Sequence, residues 1–286
     1  MNILVLGVSG MLGSAVFRYF SENSQHRVTG TLRSSSASRF FSPRQAECLL
    51  TGVDVLDADA LVAAFAKAEP DVVINCVGLI KQLADAKDPL TALPINAMLP
   101  HRLAKLCKVA GARLIHISTD CVFSGTKGMY LEQDESDCTD LYGKSKYIGE
   151  LHDLDHAVTL RTSIIGHELQ SNASLVDWFL AQDGSVKGFT QAIFSGLPTA
   201  ELARVMLEYV IPDRSLKGLY HVSAKPIDKF ALLEQVAKVY RKDIQIVADD
   251  KLVIDRSLDS TRFRTVTGYE PPAWPALIEF MHAQRH

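Results

Sequence analysis

An α/β fold, a doubly wound parallel sheet followed by a smaller C-terminal lobe, is predicted by three features of this chain. Strand-like and helix-like patterns alternate as far as residue 164, the order that parallel strands with crossover helices require. Asn2–Leu6 and Asp71–Cys76 are short apolar runs, as expected of strands covered on both faces. Between the first strand and the first helix lies Gly7-Val8-Ser9-Gly10-Met11-Leu12-Gly13, a glycine-rich turn in the context that dinucleotide-binding loops occupy.

The elements follow in order. Asn2–Leu6 reads as a strand, Met11–Phe20 as a helix and Arg27–Leu32 as a second strand, which together open a βαβ unit. A polar loop, Arg33–Ser38, leads to a short strand before Asp54 and a helix over Asp57–Ala68. Asp71–Cys76 is the next strand. Leu90–Ala110 has helical character interrupted by Pro94 and Pro100, and Arg113–Ser118 is a strand ending at Thr119. A loop with Gly125 and Gly128, a helix over Tyr142–His152 and a strand at Ala157–Thr162 complete the alternation. Beyond Ile165 the rhythm loosens, with helices expected at Ser174–Gln182, Ala200–Val210, Ile227–Tyr240 and Trp274–Gln284. Phe230, Leu233, Ala237 and Tyr240 form a core-facing stripe at helical spacing. The expected division is a nucleotide-binding domain over residues 1–164, joined by a strand at 218–222, and a smaller lobe over 165–286.

Composition narrows the function. At 286 residues, 47% apolar and 22% charged, the chain has the make-up of a globular protein with a sizeable core. A net charge of −3 provides no basic stripe, so nucleic acid and anionic membrane are not expected partners. No apolar run approaches a membrane span and no leader pattern precedes Asn2, so the cytoplasm is the expected location. Five cysteines, Cys48, Cys76, Cys107, Cys121 and Cys138, lack Cys-x-x-Cys spacing, and the histidines lack His-x-x-x-His spacing. Neither a disulfide framework nor a metal site is expected.

In the glycine loop, Gly7 permits the tight turn, Gly10 lets backbone approach a pyrophosphate, and Gly13 lets the helix pack on the strand. Arg33 follows the second strand where an NAD-selective protein commonly places an acid on the ribose hydroxyls, and Ser34 comes next. A guanidinium there suits a 2′-phosphate, so NADPH is the expected cofactor, with NADH the alternative. Asp54 and Val55 are placed to flank adenine; the plainer reading of Asp54 is a helix-entry acid.

Tyr142 and Lys146 stand four residues apart in Tyr-Gly-Lys-Ser-Lys, which stacks phenol and ammonium on one helix face. The ammonium field is expected to pull the phenol pKa down from about 10 toward working pH, where a general acid serves best. Ser118-Thr119-Asp120 closes a strand at the carboxyl edge of the sheet, where ligands of open α/β folds collect. Thr119, Tyr142 and Lys146 are the candidate catalytic set for nicotinamide-dependent carbonyl chemistry.

At this point the chain resembles the extended short-chain dehydrogenase/reductases, and among them the dTDP-4-dehydrorhamnose reductase family. The resemblance rests on Gly7-x-x-Gly10-x-x-Gly13, Asn75, Ile117–Gly125 (ISTDCVFSG), Tyr142–Lys146, Leu160-Arg161-Thr162-Ser163, Gly196–Ala203 (GLPTAELA), Gly218–Val222 (GLYHV) and Leu258-Asp259-Ser260. These segments run through nearly the whole chain. The resemblance implies a Rossmann-type domain and an NADPH-dependent reductase for the C4 ketone of a nucleotide-linked 4-keto-6-deoxyhexose. Tyr142 would protonate the developing alkoxide, Thr119 would bond the same oxygen, and Lys146 would hold the ribose and polarise Tyr142. It further implies cofactor contacts from Ser9, Met11, Leu12, Cys76, Val77, Gly78, Ser118 and Thr162, and sugar contacts from Asp120, Cys121 and Val122.

The chain also departs from that family. After Asn75 it reads Cys-Val-Gly-Leu-Ile-Lys-Gln in place of an alanine-rich segment leading to Tyr-Thr, and Cys121 stands where the family usually has Tyr. The sugar is therefore expected to differ, with a UDP-linked or 2-acetamido 4-keto-6-deoxyhexose as candidate. Lys81, Gln82, Asn172, Trp178 and Lys187 are candidate sugar or pyrophosphate contacts by position, with surface polar groups and a core Trp as the plainer reading. Two competing functions stand beside the reductase: a nucleotide-sugar epimerase that retains NAD, and a non-catalytic NADP-binding regulatory subunit. A homodimer is the assembly to test.

Overall fold

The computed structural model describes residues 1–79 and 87–285. Its strands are β1 (Asn2–Leu6), β2 (Arg27–Leu32), β3 (Leu49–Thr51), β4 (Val72–Asn75), β5 (Arg113–Thr119), β6 (Ala157–Thr162), β7 (Ile164–Ile165), β8 (Ser185–Phe189), β9 (Ala192–Phe194), β10 (Leu197–Pro198), β11 (Gly218–His221), β12 (Ile227–Asp228), β13 (Gln245–Asp249) and β14 (Ile254–Asp255). Its α-helices are α1 (Met11–Asn23), α2 (Pro43–Ala46), α3 (Ala58–Ala68), α4 (Pro89–Ala92), α5 (Leu99–Ala110), α6 (Leu141–Ile148), α7 (Leu175–Leu180), α8 (Thr199–Val205), α9 (Lys229–Tyr240), α10 (Thr261–Thr267) and α11 (Trp274–Ala283).

Seven strands form one parallel sheet in the order β11-β6-β5-β4-β1-β2-β3. The order reverses beside β1, a topological switch point that opens a crevice at the strands' carboxyl ends. The alternation of side chains explains the apolar runs. Ile3 and Val5 enter the core under α1, α8 and α11 with Ile74, Ile115 and Val158. Leu4 and Leu6 enter the opposite core with Val73, Leu114, and the Leu61, Leu99 and Leu103 side chains of α3 and α5.

Helix starts follow the expected chemistry. Asp57 accepts amides of Asp59 and Ala60 to begin α3, and Asp140 accepts the Gly143 amide to begin α6. Between α4 and α5 the chain makes a π-helical turn, Leu93–Met98. Pro100 has no amide to give to the Asn96 carbonyl, so the wider turn absorbs what the prolines interrupt. The expected break is thus a continuous, locally widened helix. The helix carrying Tyr142 is shorter than expected, ending at Ile148, and Gly149 packs so closely on the Asn96 carbonyl that a Cβ would come within 2.1 Å.

The strand expected at 218–222 is β11, hydrogen-bonded to β6 in register Gly218↔Val158 to His221↔Arg161. Beyond Ile165 the structure adds elements that periodicity did not signal. These are a parallel β10–β7 pair, a β12-β9-β14 ribbon and a parallel β13–β8 pair, with α10 following Ser260. Of the core stripe on α9, Leu233 is buried and Phe230, Ala237 and Tyr240 are half-buried. Among the described residues no helix is long and apolar enough to cross a membrane.

Candidate active site

The glycine loop is built for close approach. Gly7 has φ of 82°, in the left-handed region that favours glycine, and a Cβ on Gly13 would lie 2.1 Å from the Gly7 carbonyl oxygen. Gly10 caps α1 without a side-chain bond, so the first-turn amides face the crevice with no side-chain cap of their own. That cradle fits a dinucleotide pyrophosphate. Ser9, Met11 and Leu12 belong to the same turn. Val77 packs on Gly7, where a Cβ would meet its Cγ2 at 2.8 Å, and Cys76 and Gly78 continue the opposite wall.

Arg33 and Ser34 are exposed just past β2. The Val53 amide bonds the Leu32 carbonyl at 3.0 Å, which brings Asp54 and Val55 alongside them. Asp54 Oδ1 accepts the Leu56 amide at 2.9 Å, a turn-forming bond that leaves its second oxygen toward solvent.

At the other end of the crevice Thr119, Asp120 and Tyr142 form a hydrogen-bonded chain. The Thr119 hydroxyl donates to Asp120 Oδ1 at 3.1 Å and accepts the Cys121 amide at 3.1 Å. The Tyr142 phenol bonds the same Thr119 hydroxyl. Lys146 is buried behind them, and its Nζ donates to the Ile117 carbonyl at 2.7 Å.

The expected lowering of the Tyr142 pKa is not what the structure shows. Burial pushes the phenol well above its ordinary value, and the neighbouring Cys121, Asp120 and Asp140 push the same way, with the Thr119 bond pulling back. Lys146 goes the other way: burial brings it down to about 8 despite the opposing fields of Glu150 and Cys76. The helix spacing does place both groups on one face. Spacing carries no information about desolvation, which is the largest influence on the phenol here. The Cys76 thiol is pushed up to about 12 by burial and stays protonated.

Two residues from beyond Ile165 enter the same site and were not singled out from the sequence. Arg256 donates from Nε to the Phe123 carbonyl at 2.8 Å and from a terminal nitrogen toward Cys121 Sγ at 3.9 Å. Lys229, at the start of α9, senses the charge of Asp120, and burial lowers its pKa. Burial raises Asp120, while Arg256 and hydrogen bonds from Thr119, Cys121 and Ser163 oppose the shift. The site therefore gathers two cations about the Asp120 carboxyl, which neighbours the phenol. Arg256 lies two residues before the Leu258-Asp259-Ser260 segment, the one sequence signal that could have pointed to it.

Other expected residues lie elsewhere. Ser118 turns to the opposite side of β5 and donates to Glu150 at 2.6 Å, so its hydroxyl does not face the crevice. Thr162 is buried and donates to the Ser163 carbonyl at 3.1 Å. Val122 is fully buried with Phe123, Tyr130 and Leu258. Asn172 is exposed, and Trp178 is 38% exposed, which excludes the core reading of that Trp. Lys187 is paired with Asp249 at 2.9 Å on the β13–β8 ribbon. Lys81 and Gln82 lie outside the described residues. A cavity of about 590 Å³ beside β11 includes His152, Asp155 and Lys217 but none of the catalytic candidates. Among the described residues no cluster of three or more His, Cys, Asp or Glu is gathered for a metal.

Several resemblance motifs prove to be structural. Arg161 grips Glu150 through Nε at 2.9 Å and a terminal nitrogen at 2.6 Å, and its other terminal nitrogen reaches His221 Nε2 at 2.9 Å. His221 in turn bonds the Tyr130 carbonyl at 3.0 Å through Nδ1. In GLPTAELA, Glu201 holds Arg204 at 2.6 Å and accepts the Tyr269 hydroxyl at 2.8 Å.

A switch-point crevice with a glycine cradle at one end and a Thr, Tyr and Lys set at the other defines an extended short-chain dehydrogenase/reductase. Within that class the chain matches the family described as RmlD substrate binding domain over residues 1–281, and it belongs to that family. Methionine adenosyltransferase 2 subunit beta of Danio rerio is 32% identical over 237 residues, 78% of this chain and 69% of the relative. The probable low-salt glycan biosynthesis reductase Agl14 of Haloferax volcanii is 31% identical over 235 residues, 79% and 75% of the two chains. Among solved structures, dTDP-4-dehydrorhamnose reductase from Bacillus anthracis in complex with NADP superposes with a TM-score of 0.80 at 20% identity over 99% of both chains. UDP-glucuronic acid 4-epimerase from Bacillus cereus in complex with NAD gives 0.77 at 19% identity over 99% of this chain and 96% of that one. At these identities the structural likeness establishes the shared fold.

Proposed function

We propose that the protein is an NADPH-dependent reductase of the C4 ketone of a nucleotide-linked 4-keto-6-deoxyhexose. The observation that carries this reading is the Tyr142 hydroxyl bonded to Thr119 at the carboxyl edge of the sheet, with the Lys146 ammonium buried behind it. NADPH in the glycine cradle supplies the hydride. Tyr142 supplies the proton to the C4 oxygen, and burial keeps it protonated until the alkoxide forms. Thr119 turns its hydroxyl from Asp120 to that same oxygen. Arg33 selects the 2′-phosphate, in keeping with the NADP bound to the Bacillus anthracis reductase. Arg256 and Lys229, set beside Cys121, are placed to read the substituents of the ring, and they favour a sugar richer in acceptors than rhamnose. A UDP-linked or 2-acetamido sugar meets that description. This reading puts the protein in the cytoplasm, where activated sugars are assembled.

The test is NADPH oxidation followed at 340 nm with dTDP- and UDP-linked 4-keto-6-deoxyhexoses, with and without the 2-acetamido group. Turnover that is lost in Tyr142→Phe establishes the reductase. A second reading has a specific observation behind it: the relative from Danio rerio is named as a subunit of another enzyme. Tight NADPH binding with no turnover on any of these sugars would transfer the assignment to a regulatory subunit. Tightly retained NAD, with no NADPH consumed, would transfer it to an epimerase.

A further inference from the structure

Cys121 stands two residues beyond Thr119, in the turn that follows β5, and is half-buried. Two charged groups engage its sulfur. A terminal nitrogen of Arg256 donates to Sγ at 3.9 Å, and the guanidinium is held there by its Nε bond to the Phe123 carbonyl at 2.8 Å. The Asp120 side chain shares a hydrogen bond with the same thiol. In that bond the ionised carboxyl accepts and the thiol donates. A thiol with an acceptor for its proton and a cation on its sulfur is set to work as a base. Reduction by a hydride and a phenol has no use for one.

Lys229 is a second group that reduction leaves idle. It begins α9, just after the N-cap Asp228, and its ammonium feels Asp120, Arg256 and Cys121. Among the described residues its side chain makes no hydrogen bond or ion pair. Burial lowers its pKa, which eases the release of a proton. Inversion at carbon needs a proton taken from one face and returned to the other. Cys121, at the end of β5, and Lys229, at the start of α9, are supplied by separate elements.

Hydrogens on the carbons that flank a ketone are acidic, because the charge left behind settles on the carbonyl oxygen. In this site Tyr142 and Thr119 are the groups that hold that oxygen. We propose that the site also inverts a carbon next to the C4 ketone before the hydride arrives, with Cys121 as the base that removes its proton and Lys229 as the acid that returns one. The inference rests on the reductase reading, and it makes the substrate an epimerisable 4-ketohexose rather than one already in its final configuration. Asp120 takes the thiol proton and Arg256 holds the thiolate. The C–H bond breaks, its proton goes to sulfur, and its electron pair forms an enolate with C4. Lys229 gives its proton to the opposite face of that carbon, and the enolate collapses to the ketone. The new thiol passes a proton to the Lys229 amine through solvent, which restores both groups. Nothing is oxidised or reduced in this step.

The test leaves NADPH out. Full-length protein with NADP⁺ is incubated in deuterium oxide with dTDP- and UDP-linked 4-keto-6-deoxyhexoses, with and without the 2-acetamido group. Proton NMR follows the two carbons beside C4, against a protein-free sample. The wild type is expected to replace one of those protons by deuterium and to form the inverted sugar. Cys121→Ser is expected to slow that exchange about a hundredfold, the contribution of a general base. Melting temperature and NADPH affinity of the variant show that it is folded. Lys229→Met is expected to exchange with configuration retained, because the base can still return a deuteron to the face it took a proton from. The proposal is overturned by a wild type that exchanges nothing, by Cys121→Ser exchanging at the wild-type rate, or by Lys229→Met inverting at the wild-type rate. NADPH oxidation with the same sugars is read separately. Oxidation without exchange overturns the inversion alone, and exchange without oxidation overturns the reductase reading alone.

Discussion

Ser118 and Thr119 are neighbours on β5, yet they feed two polar clusters of opposite character. Ser118 joins Glu150, Arg161 and His221, whose hydrogen-bonding groups are spent on one another in register across β5, β6 and β11. Thr119 joins Tyr142, Asp120, Cys121, Arg256 and Lys229, where Tyr142 is half-buried and Arg256 is pinned through one edge. Both clusters mix hydroxyls, acids and cations. The difference is saturation: a closed network fixes the sheet, and an open one keeps bonding capacity for a substrate.

That comparison can be broken or sharpened experimentally. The largest effect is expected from Tyr142→Phe, which removes the proton donor and should lower kcat on the order of 10³ to 10⁴-fold, about 4 to 5.5 kcal/mol. NADPH affinity, read by fluorescence titration, should be unchanged. A variant with a tenth of wild-type turnover would show that the open cluster is not the proton source. Arg161→Met should act on stability instead, costing about 3 to 5 kcal/mol because Glu150 is left as an unpaired buried charge. Urea unfolding reads that loss, and Glu150→Gln added to Arg161→Met should recover much of it.

Acid should find the closed cluster before the open one. Burial and Arg161 bring His221 down to about 3, below its ordinary 6.5, so the unfolded chain takes up that proton first as pH falls. Stability is complete above about 6.5 and declines toward 3, by about 1.4 kcal/mol per pH unit for this residue. Burial lowers His116 in the same direction. His221→Gln should flatten the slope of the denaturation midpoint against pH; an unchanged slope would remove His221 from the explanation. The smallest effect is expected from Arg33→Ala, which should cut the preference for NADPH over NADH about tenfold, the value of one charge-assisted contact.

The parallel sheet was legible in the sequence because strand and helix patterns alternate and β1 and β4 are bounded, mostly apolar runs, and the glycine loop because Gly7 and Gly13 meet requirements that no other residue satisfies. The gathering of Thr119, Tyr142 and Lys146 at the end of β5 was legible by placement and spacing. The short strands beyond β6 were not: β9 is three residues long and pairs with β12 and β14, both distant in the chain, so neither length nor period announces it. Arg256 and Lys229 escaped for the same reason, since tertiary packing alone brings them to Asp120. The direction of the Tyr142 shift was missed because a four-residue spacing reports proximity and says nothing about water.

The edge strand β11 also bears on how the chain comes together. It completes the sheet at β6, yet it is supplied from beyond β7, β8, β9, β10 and α8. Until residue 221 is available, β6 presents a row of unpaired backbone groups to the surroundings, an adhesive border between unfinished copies. Closing that border requires a pairing of large sequence separation, which is formed late and slowly. A chain stopped short of Gly218 is therefore expected to aggregate rather than persist as a small nucleotide-binding unit.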